Sequence, residues 1–379
     1  MVLICMSPIL YNYIPSKSTL SSSLQTDRFK CIKTLNDLIQ VTRKKNFEKQ
    51  LFSGKDGLRF ATPWPVAAYR AKRLKCSSLA DISCGIGGQT VYFARECEIV
   101  YAIEIDPAKI ELARKNCRLF GLDNVEFIRG DALSEDVLEQ IPAVDVVFSD
   151  PARAATEEKR DIYNLTPHIP DVLTAYSGKT SNFVFEAPPQ LPPDRINFDC
   201  ELEYLSLDGE LNRLDLYFGR LKTCSRSALS LPGPIKLCGK TGHVEEIEMV
   251  DVKKPGRYLY EPDPSVVKAE LLPELMTELK EGTSIFRMDN KRLMLTSNNL
   301  VDHPMIKNTY RMVFSAGFVP ETINSELKER GYGEVLLRAE VDPAIYWDIR
   351  KELERDLKGE RKAILFAREK IAYICEKIQ

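Results

Sequence analysis

Leu-Ala-Asp-Ile-Ser-Cys-Gly-Ile-Gly-Gly-Gln-Thr, residues 79–90, is the stretch that decides how this chain is read. Leu79, Ala80 and Ile82 suit a buried strand, and Gly85, Gly87 and Gly88 follow it directly. Glycines at such a turn let the backbone approach a ligand where a Cβ would collide. The pattern Val91-Tyr92-Phe93-Ala94-Arg95 then predicts a helix, whose first N–H groups point back at the turn. A second apolar strand, Ile99–Ile103, ends in Glu104. Asp106-Pro107 is placed to cap and open the next helix, which reaches Gly121.

A strand, glycine turn, helix, strand and acid in this order describe a nucleotide-binding half of an open α/β sheet. The acid is placed to bind ribose hydroxyls. The glycines do not spell G-x-G-x-x-G, which argues against a dinucleotide. Two further strands end in polar residues, Val125–Ile128 at Gly130-Asp131-Ala132 and Val144–Phe148 at Ser149-Asp150-Pro151-Ala152-Arg153. All four endings are expected at one edge of the sheet, where ligands bind in this architecture.

These motifs resemble the class I S-adenosylmethionine-dependent methyltransferases. D-I-S-C-G-I-G-G-Q-T is similar to the methionine-binding loop of their RNA-modifying branches, including the trimethylguanosine synthase family. Y-A-I-E-I-D-P-A-K-I-E-L-A-R-K-N is similar to their second motif, and Phe60-Ala61-Thr62-Pro63 to the segment that closes over the cofactor. The resemblance implies S-adenosylmethionine as cofactor, held by Thr62, Asp81, Cys84, Gly85, Gly87, Gly88, Thr90, Glu104, Ile105, Asp131, Ala132 and Asp150. Within that set Glu104 would hold the ribose, Asp131 with Ala132 would face the adenine, and Ser149–Arg153 would border the methyl group. The implied fold is a Rossmann-like α/β sheet of seven strands with a terminal antiparallel hairpin. Ser181–Ala187 supplies the fifth strand. Glu201–Leu207 and Leu211–Phe218, joined at Asp208-Gly209, supply the hairpin.

The fourth motif separates two chemistries. Enzymes of this kind that methylate exocyclic amines use (N/D/S)-P-P-(Y/F/W), where the acid and a proline carbonyl accept the N–H hydrogens and the aromatic stacks on the base. Asp150 and Pro151 fit, but Ala152 and Arg153 replace the rest, leaving Arg153 to stack or to bind phosphate. D-P-A-R is similar instead to the motif of RNA 5-methyluridine methyltransferases, which need a cysteine nucleophile after the fifth strand. That strand ends here in Phe185-Glu186-Ala187-Pro188-Pro189, and Cys200 is the nearest cysteine downstream. The expectation is therefore methylation of a base nitrogen in RNA, tRNA or rRNA, with Asp150, Pro151 and Arg153 at the catalytic position. A non-catalytic cofactor- and RNA-binding factor, or a protein or small-molecule methyltransferase, are the alternatives.

The rest of the chain frames this domain. With 379 residues, two domains are expected. The net charge of −2 excludes a uniformly cationic nucleic-acid binder but not a local basic face. Ten scattered cysteines and three histidines point to free thiols in a reducing cytoplasm and away from a metal site. Residues 1–30 read as a loose leader without a signal peptide's basic start, and no segment is apolar for long enough to cross a membrane. Residues 31–75 read as a helical segment. Over Thr34–Gln50 its basic residues Arg43, Lys44, Lys45 and Lys49 either form a solvated face or contact phosphate, and a further helix, Val66–Leu74, is expected with Arg70, Lys72 and Arg73 outward. Trp64 either staples this segment to the core or stacks on a base. The methyltransferase domain is expected over 76–222. Residues 223–379, opened by proline–glycine clusters, read as an α+β module of split βαβ kind, similar to the THUMP-like domains of some of these methyltransferases and so an RNA-presenting or a structural unit.

Overall fold

The computed structural model describes residues 48–53, 62–153, 161–239, 251–279, 282–289 and 292–378. The expected leader, residues 31–47 of the helical segment, and Phe60-Ala61 lie outside them. The first module runs α1 (Trp64–Arg73), β1 (Ser78–Asp81), α2 (Thr90–Glu96), β2 (Ile99–Glu104), α3 (Pro107–Leu119) and β3 (Val125–Arg129). It continues as α4 (Glu135–Gln140), β4 (Val146–Ser149), β5 (Ala152–Arg153), β6 (Leu165–Thr166), α5 (Ile169–Ala175) and β7 (Phe183–Ala187). β8 (Glu201–Leu207), β9 (Glu210–Tyr217), β10 (Arg226–Leu231) and β11 (Ile235–Cys238) complete it.

Strands β1, β4 and β7 are buried almost throughout, as parallel strands covered on both faces must be. The sheet order is β11-β10-β8-β9-β7-β4-β1-β2-β3. Within it β3-β2-β1-β4-β7 are parallel, and β9 reverses against both β7 and β8. This is the expected Rossmann-like arrangement with its terminal hairpin. The boundary expected near Lys222 falls inside the sheet, because β10 pairs with β8 and β11 with β10. Pro232-Gly233-Pro234, one of the clusters expected to open the second module, is the turn between those two strands.

The second module carries β12 (Tyr258–Pro262), α6 (Pro264–Lys268), α7 (Leu272–Leu279), β13 (Ser284–Arg287), β14 (Leu293–Ser297) and β15 (Ile306–Gly317). α8 (Pro320–Glu329), β16 (Tyr332–Arg338), α9 (Tyr346–Glu354), β17 (Arg361–Arg368) and β18 (Ile371–Lys377) follow. Its seven-stranded sheet, β13-β14-β12-β15-β18-β17-β16, is antiparallel except between β16 and β17. The modules share a core, in which Val266, Leu271 and Leu275 join Tyr204, Ala228 and Leu237. Asp263 fixes the joint, accepting hydrogen bonds from Ser206 Oγ (2.7 Å) and Ser230 Oγ (3.1 Å) of the first sheet. Among the described residues no helix is long and apolar enough to cross a membrane.

Helix α1 departs from the sequence expectation. Lys72 faces water, but Arg70 points inward and is fully buried. Its Nε and Nη2 donate to the two oxygens of Asp215 on β9 (3.1 and 2.7 Å), and Nη2 also reaches Glu186 Oε2 on β7 (2.8 Å). Nη1 donates to Gln89 Oε1 (2.8 Å), the residue that caps α2. Arg73 pairs with Glu201 (2.8 Å) and Glu203 of β8. Trp64 keeps 38% of its surface exposed. Helix α1 is thus bolted across the sheet by charge-assisted bonds in a low-dielectric interior, where an unpaired ion is costly. Replacing Arg70 by Ala should lower unfolding free energy by about 3–5 kcal/mol, the cost of stranding its carboxylate partners. Urea titration of the full chain measures this, and a loss under 1 kcal/mol would contradict it.

Candidate functional site

The loop after β1 is shaped by two left-handed glycines. Gly85 has φ +56° and Gly87 φ +80°, and a Cβ on Gly87 would stand 3.0 Å from Ala113 Cα of α3. Glu104, at the end of β2, accepts the Gly85 N–H (3.0 Å) on one oxygen and the Asp106 N–H (2.9 Å) on the other. Its carboxylate is therefore held level with the loop. Asp81, at the end of β1, is buried and accepts from Thr90 Oγ1 at 2.6 Å through Oδ2. Its Oδ1 is buried with no hydrogen-bond partner among the described residues. Burial pushes the Asp81 carboxyl up to about 7, with Glu104 adding to the effect and the Thr90 bond opposing it.

The other expected residues fall around this loop in different ways. Thr62, Ala132 and Thr90 are buried, Thr90 opening the helix after the loop, and Ile105 leaves 65% of its surface exposed just beyond Glu104. Asp131 caps its own turn, accepting the Leu133 N–H at 3.0 Å. Cys84 is a packing residue, buried with Ala102 and Ala113. Gly88 is buried in the same turn.

Asp150 follows β4 on the same edge. Its N–H donates to Ser83 Oγ of the glycine loop at 2.6 Å, while its carboxylate has no hydrogen-bond partner among the described residues. Burial is the largest influence on that carboxyl and Glu186 the next. Together they push it up to about 8, against the pull of Arg213 and Arg70. Glu186 and Arg213 form an ion pair beside it. Pro151 is buried, and β5 pairs Ala152 with Thr166 and Arg153 with Leu165. Cys200 is remote from this edge. It precedes β8, level with the start of β7, and β9 and β7 separate β8 from β4, roughly 14 Å in strand spacings. Its thiol is buried and pushed up to about 12, burial being the main cause.

Comparison with known proteins fits this geometry. A family model described as RNA cap guanine-N2 methyltransferase matches residues 76–190. The chain carries a class I S-adenosylmethionine-dependent methyltransferase domain. An uncharacterized S-adenosylmethionine-dependent methyltransferase of Mycobacterium tuberculosis is 26% identical over 221 residues, 57% of this chain and 59% of that protein. The chain therefore spans less than two thirds of that relative's length. Trimethylguanosine synthase of Schizosaccharomyces pombe is 32% identical over 137 residues, covering 32% of this chain and 56% of that one. A crystal structure from Porphyromonas gingivalis W83, assigned as a methyltransferase, superposes with a TM-score of 0.72 at 17% identity. It covers 91% of this chain and 90% of its own, so the fold is shared across both modules.

The residues at the site suit the cofactor of this domain. The unpartnered Asp81 Oδ1 could take an ammonium, Glu104 a pair of hydroxyls, and the exposed Ile105 an aromatic ring face. Sequence reading missed Glu186 and Arg213, which the topology brings beside Asp150. A glutamate closing the fifth strand was the one signal available.

If Asp81 receives the ammonium, cofactor binding must first remove its proton below about pH 7. Affinity for S-adenosylmethionine should then rise with pH up to about 7, at most roughly tenfold per unit, and level off above it. Asp81→Asn should bind roughly 1–3 kcal/mol more weakly and without that slope. Calorimetry across the range tests this, and an unchanged slope in the variant would remove Asp81 from the role.

Proposed function

We propose that the chain methylates a nitrogen of a base in RNA, tRNA or rRNA being the expected class. The observation that carries this reading is the Asp150 carboxylate, without a hydrogen-bond partner among the described residues at the end of β4 and joined through its own amide to the cofactor loop. S-adenosylmethionine supplies, when bound, a methyl group on a positively charged sulfur. What the protein must add is a nucleophile held in line, so positioning dominates. The lone pair of a base amine is delocalised into its ring. A carboxylate accepting one of the amine hydrogens favours the pyramidal nitrogen whose lone pair projects outward, and it can take the proton lost as the new bond forms. Asp150 is suited to both tasks only when ionised.

Two further features support a nitrogen acceptor over uracil carbon-5. Attack at carbon-6 requires a thiolate, and the nearest downstream thiol, Cys200, lies at the far end of β8 with its proton held tightly. Asp150 also keeps both carboxylate oxygens without a hydrogen-bond partner among the described residues, a set that suits the two N–H hydrogens of a base amine. The family description and the trimethylguanosine synthase likeness support an RNA substrate on independent grounds. In this reading the C-terminal module presents the RNA, as a THUMP-like unit would.

Asp150→Asn should lower methyl transfer roughly 100-fold or more, the scale for a positioned acid–base group, with cofactor affinity within a few-fold of wild type. The carboxyl is raised, so the active ionised form is lost as pH falls. Transfer by wild type should climb with pH until about 8 and then level, and the variant should lack that limb. Cys200→Ser should retain activity. Tritium transfer from labelled cofactor into RNA from a deletion strain reads all three. An inactive Cys200→Ser protein that still binds cofactor would restore the uridine mechanism.

A further inference from the structure

The β8–β9 hairpin stands at the cofactor edge of the first sheet. β8 runs in the same direction as β7 and β4, so its end at Leu207 lies at the same edge of the sheet as Asp150, four residues beyond Glu203, which is level with Asp150. The turn Asp208-Gly209 packs on the second module, with a Cβ on Gly209 falling 3.2 Å from the Lys307 side chain. Between this hairpin, α6 and the second sheet lies a groove of about 230 Å³. Its charged lining comprises Lys268, Arg292, Lys307 and Arg338 against Glu210 and Glu261. Cations therefore outnumber carboxylates in a protein whose overall charge is −2.

The donors of this groove are only partly used. Arg338 spends Nη1 on Glu261 (3.0 Å) and Tyr310 (2.9 Å), and Arg292 spends Nη1 on Asp289 (2.8 Å) and the Arg338 carbonyl (3.1 Å). Their Nε and Nη2 groups make no hydrogen bond among the described residues. A guanidinium presenting that free edge matches a phosphate in fork geometry. Lys307 holds Glu210 at 2.8 Å, but Glu210 is largely exposed, and a surface pair of that kind contributes little and exchanges readily. Lys268 is half-buried with no ion-pair or hydrogen-bond partner among the described residues, and that burial lowers its pKa. Glu270 and Asp194 act on it only through space, so an ammonium in that position gains from an anion in direct contact.

Size and place narrow the occupant. The groove is smaller than the roughly 300 Å³ at which small-molecule pockets begin, which suits a linear backbone better than a compact ligand. By strand register Asp150 is level with Asp215, and Glu210 lies five residues along β9 from there, so with the two strand spacings between β9 and β4 the groove stands roughly 20 Å from Asp150, with Arg213 on that path. We propose that the groove grips the sugar–phosphate backbone of the substrate RNA a few nucleotides from the methylated one. This rests on the RNA reading above and adds to it where the strand enters, at the joint between the modules.

The test uses the full chain, wild type and a Lys268→Ala/Arg292→Ala double variant, with RNA extracted from a deletion strain as probe. Filter binding over a salt series and steady-state methyl transfer are the readouts, with cofactor affinity confirming that the variant is folded. The variant should bind RNA at least about tenfold more weakly, with a salt slope shallower by roughly 0.7 for each cation removed. Its KM for RNA should rise while kcat at saturating RNA stays near wild type. Wild type that binds and methylates RNA, beside a variant with the same affinity and slope, would overturn the groove and leave the RNA reading intact. Wild type that neither binds nor methylates that RNA would overturn both.

Discussion

Arg70 carries its charge with no surface in water, which is tolerable only because Asp215, Glu186 and Gln89 enclose the guanidinium. Each of these contacts fixes a different part of the catalytic edge. Asp215 ties the helix to β9, Glu186 to the end of β7, and Gln89 to the start of α2, whose first turn carries Thr90 and hence Asp81. The same carboxylates reach Asp150, since Glu186 raises its pKa and Arg70 restrains the rise. Stability of the fold and ionisation of the acceptor site are therefore set by one network. Neither can be altered alone at Arg70.

The cofactor half of the molecule was legible in the sequence because its signals are local. Strand, glycine turn and helix follow within residues 79–95, and Asp106 caps α3 as its position implied, accepting from Ala108 N–H at 2.8 Å. The acceptor half was not. Arg70 bonds Glu186 and Asp215 across 116 and 145 residues, and a lone arginine in a basic helix reads as solvated until tertiary structure turns it inward. Two strand pairs escaped for reasons of turn chemistry. Pro232-Gly233-Pro234 resembles linker as much as hairpin, and β17 meets β18 through Glu369, which adopts φ +56° without being glycine or asparagine. The boundary at Lys222 follows from the first of these, since β10 and β11 were not counted as strands.

The joint between the modules explains why the C-terminal part belongs to the active site's surroundings. Asp263 accepts from two serines of β8 and β10 with one oxygen and from the Ser265 N–H (2.9 Å) with the other. A buried carboxylate satisfied from both sides holds α6 against the sheet more rigidly than apolar contact alone, because misplacing it leaves the charge uncompensated. With α6 so placed, Lys268 at its end and Lys307 beside the hairpin are brought to the edge on which Asp150 lies. Sequence places those cations far from the methyltransferase motifs. The topology brings them to one edge of the sheet.

Cofactor loop and acceptor loop are coupled by one short side chain. Ser83 Oγ accepts the Asp150 N–H at 2.6 Å and lies 3.5 Å from Ser149 Oγ, while Ile82 N–H donates to the Phe148 carbonyl at 3.0 Å. The end of β4 therefore cannot shift without carrying the glycine loop with it. In-line transfer depends on the separation between methyl donor and acceptor, and misplacement by about 1 Å can cost 100-fold in rate. A direct bond between the two loops sets that separation within the chain itself, before either ligand arrives. The wider network at Arg70 then supplies the rigidity, and Ser83 the registration.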